Sequence, residues 1–115
     1  MKNRGGREKW IALTDKYCFK CITIFAGCAT SLQYHNFKEE TNFIHSGKAR
    51  VTFGGADGKY SIAEVGPGYI MHVKPKEVHR IEAVTEVLLY ETSTIEVDDV
   101  IRLEDSYGRE GTSTP

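Results

Sequence analysis

The chain has 115 residues, a net charge of −1 and 40% hydrophobic residues. That length holds one domain with a real core and leaves no room for two. The near-neutral charge gives no electrostatic case for a nucleic acid or an anionic membrane surface, and no apolar run approaches the roughly 18 residues that span a bilayer.

Residues 1–9 are polar and charged and read as a loose arm. MKNRGGREKW lacks the apolar stretch that a secretory signal needs. Tyr17 to Ala26, YCFKCITIFA, is dense in β-branched and aromatic residues and predicts a strand ending at Gly27. Its alternation puts Cys18, Lys20, Ile22 and Ile24 on one face, with Phe19, Cys21, Thr23 and Phe25 on the other. Lys20 is therefore either an edge residue whose amine snorkels to water or a cation pointing into the mouth of the fold. Cys18, Cys21 and Cys28 have no second Cys pair to complete a zinc or redox site. They read as reduced, small apolar groups in a cytoplasmic protein.

Leu32 to His35 predicts a short strand and Asn36 to Glu39 a turn. Strands at Thr41 to Ile44 and Lys48 to Phe53 flank the turn at His45-Ser46-Gly47. Asp57-Gly58 marks a hairpin loop, and Lys59 to Val65 pairs back. Gly66-Pro67-Gly68 is a turn before a strand at Tyr69 to Val73. Pro75-Lys76-Glu77 turns the chain into Val78 to Ala83. Glu86 to Ile95 is a long apolar-rich strand, and Asp98 to Leu103 is a strand or a short helical turn. Residues 10–109 make the single domain, with a flexible tail at 110–115. Many short strands, turn signals every 8 to 12 residues and no sustained helical period point to an all-β sandwich or barrel.

The stretch Ser31 to Gly47, SLQYHNFKEETNFIHSG, carries the chemistry. On an extended backbone Gln33 and His35 point to the same side. Glu40 lies far enough on for the chain to turn and bring its carboxylate back to them. With His79 in VKPKEVHRI, they make a set of one amide oxygen, two imidazoles and one carboxylate. That set suits a borderline divalent metal. Tyr34 faces away from the set and reads as core. Phe37 reads as packed against the wall, and His45 as exposed.

The arrangement resembles the cupin family, which places two ligands at i and i+2, then a Glu and a Gly, then a His after a Pro-containing turn. Gln33, His35, Glu40, Gly47, Pro75 and His79 fill those positions. SLQYH, the Lys38-x-Glu40 pattern, His79-Arg80-Ile81 and DDVIRLEDSYGR at Asp98 to Arg109 are similar to the cupin domain of type II mannose-6-phosphate isomerases. The chain departs from that branch at Phe37, Asn42 and Glu77. The resemblance implies an all-β cupin double-stranded β-helix, a jelly-roll barrel that commonly dimerises. It implies one divalent metal ion (zinc, manganese, iron or nickel) held by Gln33, His35, Glu40 and His79. The implied ligand is a small molecule, a sugar phosphate, either bound or isomerised. Isomerisation needs a base, for which Glu91 and Lys20 are candidates, and cations for the phosphate, for which Lys20 and Arg109 are candidates. Arg80 and Arg102 read as surface ion-pair residues. The alternatives are a non-catalytic sugar-binding or regulatory cupin and an iron-dependent dioxygenase-type cupin. Sites of the last kind usually hold three nitrogen ligands.

Overall fold

The computed structural model describes residues 5–55 and 57–104 and the backbone of Gly111–Thr112. Eleven strands run in chain order: β1 Gly6–Leu13, β2 Cys18–Ile24, β3 Leu32–Tyr34, β4 Glu40–Ser46, β5 Ala49–Gly54, β6 Tyr60–Val65, β7 Ile70–Val73, β8 Val78–Ala83, β9 Val87–Ser93, β10 Ile101–Glu104 and β11 Gly111–Thr112. No helix occurs among the described residues, so none is long and apolar enough to cross a membrane. The strands form a five-stranded sheet in the order β1-β2-β9-β4-β7 and a six-stranded sheet in the order β11-β10-β3-β8-β5-β6. The inward faces meet in a single apolar cluster. Ile22, Ile24, Ile44, Val73, Val87 and Leu89 come from the first sheet, and Ala49, Val51, Ile81 and Ala83 from the second. This is the expected two-sheet jelly roll.

Period-two alternation sets what each strand buries. Along β2 the inward residues are Cys18, Lys20, Ile22 and Ile24, all buried. They pair in register with Ser93, Glu91, Leu89 and Val87 of β9. β4 continues the pattern, with Glu40, Asn42 and Ile44 opposite Ser93, Glu91 and Leu89. One end of the inward face is therefore aliphatic, and the other end carries Glu40, Asn42, Glu91 and Lys20. The barrel closes on its apolar end and keeps buried polar groups at the opposite one.

Three local expectations change. The arm over 1–9 gives way at Gly6, where β1 begins. Gly6 to Trp10 pair with β2 from Ile24 to Lys20, because an edge strand can satisfy its backbone on one side and leave Arg7 and Lys9 in solvent. The tail over 110–115 contains β11, whose Gly111–Thr112 pair with Arg102 and Ile101 of β10. Asp98 to Leu103 divides into the end of a turn at Val97–Asp98 and the start of β10 at Ile101. Among the described non-glycine residues only Lys76 has a positive φ, 74°. Its amide donates to the His35 carbonyl at 2.7 Å, so the Pro75–Glu77 turn is braced against the segment that carries His35.

Candidate metal centre

Three elements bring the ligand groups together. His35 follows β3, Glu40 opens β4, and His79 lies on β8 opposite Gln33. All three of His35, Glu40 and His79 are at most 5% exposed. One ligand atom from each lies within 4.8 Å of the others. Nε2 of His35 is 3.2 Å from Oε1 of Glu40, and Nε2 of His79 is 3.5 Å from Oε2. Neither contact has hydrogen-bond geometry, and both Nε2 atoms are buried without a hydrogen-bond partner.

The opposite ring nitrogens explain this. Nδ1 of His35 lies 2.6 Å from the carbonyl oxygen of Asp99, and Nδ1 of His79 lies 3.3 Å from that of Glu77. A carbonyl can only accept, so each Nδ1 carries the hydrogen, and the neutral form of either ring presents its Nε2 lone pair toward Glu40. Burial pushes the His79 pKa down, against the pull of Glu40, so its neutral form is favoured. Lone pairs that face a carboxylate in a buried site are repelled by it unless a cation or a donor lies between them. The donor set therefore fits a divalent metal, with the carbonyl contacts fixing the ring tautomers in the usual supporting role.

Around this cluster sit groups that were not among the expected site residues. Lys38 is 5% exposed. Its Nζ donates to Oε1 of Glu40 at 3.0 Å and to Oε2 of Glu91 at 3.1 Å. Asn42 donates from Nδ2 to Oε2 of Glu40 at 2.9 Å. Each Glu40 oxygen thus has one donor and one imidazole. Burial alone would raise the Glu40 pKa, but the Lys38 ammonium on its Oε1 holds it below the ordinary carboxylate range. Burial alone would lower the Lys38 pKa, but the charges of Glu40 and Glu91 hold it above the lysine range. For Glu91, burial and the Glu40 charge raise the pKa against the pull of Lys38 and Lys20. A signal for Lys38 was present: two residues before Glu40, it falls on the same side of an extended backbone.

Asp99 completes the surroundings. Its carboxylate accepts the backbone amides of Asn36 at 3.1 Å, Phe37 at 2.6 Å and Lys38 at 3.0 Å. Burial raises its pKa, but the three amides together outweigh that and hold it below its ordinary value. No local pattern could reveal a contact made across more than sixty residues of chain.

The other expected residues fall as follows. Gln33 lines the cavity beside Glu40 and His79, and its Oε1 accepts a hydrogen bond from the Ser31 hydroxyl. Glu91 lines the same cavity. Lys20 lies buried on the inward face of β2 and does not line this cavity. Its Nζ lies 3.5 Å from Glu8 and 4.3 Å from the Trp10 ring centroid. Arg109 lies outside the described residues. Phe37 is 74% exposed rather than packed on the wall, because the amides from Asn36 to Lys38 are all turned to Asp99 and the ring is left outside. Tyr34 is half-buried and His45 is exposed. Arg80 faces away from the cluster and pairs with Glu104 at 3.1 Å. The three cysteines are free.

A two-sheet jelly roll with a His-Glu-His cluster at one end defines a cupin barrel. The chain belongs to the mannose-6-phosphate isomerase C-terminal family, which it matches over residues 4–105. Mannose-1-phosphate guanylyltransferase ManC of Salmonella typhimurium is 29% identical over 109 residues, covering 90% of this chain and 22% of that protein. The chain thus spans about a fifth of that curated relative. Among solved structures, the capsular polysaccharide assembling protein CapF of Staphylococcus aureus superposes with a TM-score of 0.78 at 18% identity, over 89% of this chain and 33% of CapF. Bacillus subtilis oxalate decarboxylase, a protein with Mn(II) centres, gives 0.76 at 19% identity, over 90% of this chain and 29% of its own. A conserved Klebsiella pneumoniae protein with a double-stranded β-helix domain gives 0.75 at 15% identity, over 91% and 90%. At these identities the structures speak for the fold.

Proposed function

We propose that this chain is a metal-binding cupin that takes a phosphorylated sugar at the mouth of its barrel. The observation that carries the reading is the pair of bare, buried Nε2 atoms of His35 and His79 converging on Glu40. His35, Glu40 and His79 would hold the ion, with Gln33 as a fourth, weaker ligand once its amide oxygen leaves Ser31. A bound divalent ion supplies a Lewis acid for a sugar carbonyl or hydroxyl. The sugar phosphate follows from the family and from the guanylyltransferase relative.

The cavity limits how such a ligand sits. It measures about 40 Å³. At roughly 10–15 Å³ per water it admits an ion with two or three waters. A hexose ring must stay at the mouth and send in only the oxygens that reach the metal. Glu91, buried and raised in pKa, is the group placed to move a proton on the cavity wall, provided Lys38 releases it. Lys20 would serve a phosphate only by exchanging its Glu8 contact, and Arg109 remains its proposed companion. The small cavity and the committed contacts of Lys38 and Lys20 favour a second reading, a cupin that binds the sugar phosphate without isomerising it.

Two further parts of the reading have their own support. The exposed cross-strand neighbours Phe43 and Ile70 suit a homodimer, and the free cysteines suit a cytoplasmic location. Calorimetry with mannose 6-phosphate and fructose 6-phosphate on the zinc- or manganese-loaded protein tests the ligand. Binding should weaken in Lys20→Ala and Arg109→Ala, and should be weaker for the unphosphorylated sugars. Absence of binding by any hexose phosphate removes the sugar-phosphate reading.

A further inference from the structure

We infer that Asp99 is the positioning residue of this metal centre, and that loading of the metal and docking of the segment from Thr94 to Glu104 are one coupled event. The inference rests on the metal reading above and adds to it a part for the acidic doublet before β10. The ligand segment between β3 and β4 makes no ladder of its own, for Asn36 to Glu39 lie outside both strands. Its backbone is held from outside. The Asp99 carboxylate accepts all three amides from Asn36 to Lys38, and the Asp99 carbonyl takes the Nδ1 hydrogen of His35. One residue thus sets the tautomer of one metal ligand and the path of the loop that carries Lys38 to Glu40. Thr94 extends the clamp: its amide donates to the Glu39 carbonyl, and its hydroxyl accepts the Glu39 amide, both at 3.0 Å. Beyond Asp99 the chain enters β10, which pairs with β3 at Tyr34 and Gln33. If this segment lifts, His35 loses its carbonyl partner and Glu40 loses the loop before it. Linkage is reciprocal, so a metal that demands the assembled loop must also hold the segment down.

The experiment uses the full chain, with zinc affinity from chelator competition and amide exchange followed with and without zinc. Asp99→Ala keeps the backbone carbonyl that His35 uses but removes the carboxylate that fixes the ligand loop, and should raise the zinc dissociation constant about tenfold, as loss of a supporting group around a metal ligand does. It should also speed exchange at Asn36 to Lys38 in the metal-free protein. Glu104→Gln removes only an exposed ion pair with Arg80, too weak a contact to lift the segment, and should leave zinc affinity within twofold. Zinc should slow exchange from Thr94 to Glu104 in the wild type. If Asp99→Ala does not fold, Thr94→Val reads the same coupling, and an unchanged zinc affinity in it overturns the inference. A wild type that binds no zinc overturns the metal reading and the coupling together. A wild type that binds zinc while Asp99→Ala binds within twofold of it overturns the coupling alone.

Discussion

Lys38 stands between Glu40 and Glu91 with 3.0 and 3.1 Å contacts and almost no solvent. Its removal leaves two buried carboxylates with no cation between them, and breaking a buried ion pair from one side costs about 3 kcal/mol or more. Lys38→Met should lower the urea midpoint of the metal-free protein accordingly, and adding Glu91→Gln should recover most of the loss. A Lys38→Met protein as stable as wild type would show that the two carboxylates do not depend on it. His79 gives a second test at this scale. Its folded pKa lies below the ordinary 6.5. A group depressed on folding supports the fold fully above its unfolded pKa and loses that support as pH falls toward the folded one. The chelator-treated protein should therefore become less stable as pH drops below about 6.5, and His79→Gln should flatten that limb in urea titrations at stepped pH. An equally steep limb in the variant would place the titrating group elsewhere.

At the level of elements, the turn between β4 and β5 depends on Gly47. Its φ of +93° lies in the region that favours glycine, and an added Cβ would overlap the Glu86 carbonyl oxygen at the entry to β9. Gly47→Ala should cost about 2 kcal/mol or more, since it meets both strain and a backbone clash. Chemical denaturation measures it, and a neutral effect would mean that the β4–β5 turn relaxes freely. Most strands were legible because alternation and turn residues agree: Val78 to Ala83 matches β8 residue for residue, and Asp57-Gly58 closes the β5–β6 hairpin. β1 was not legible, because Arg7, Glu8 and Lys9 carry no apolar alternation. It exists through pairing with β2 and through Glu8 and Trp10 meeting Lys20. β10 was ambiguous because its register is set by β3, far away in sequence.

In the whole molecule, two sheets share an aliphatic interior at one end and gather their buried polar groups at the other. His35, Glu40 and His79 were readable as a set from residue type and order, and the fold brings them within one coordination sphere's reach. What surrounds them was not readable. The Asp99 clamp joins loops more than sixty residues apart, the Lys38 bridge needs β9 beside β4, and the carbonyls that fix the two tautomers belong to backbone rather than to any motif. The measurement that bears most directly on this account is the metal content of the purified chain, before and after reconstitution with zinc, manganese, iron and nickel. It should be compared with that of a His35→Ala, His79→Ala double variant whose fold is checked by circular dichroism. About one ion per wild-type chain is expected, and none in the folded double variant. A wild type that takes up no metal from any of the four, or a double variant that retains it, would contradict the assignment of His35, Glu40 and His79 as the metal centre.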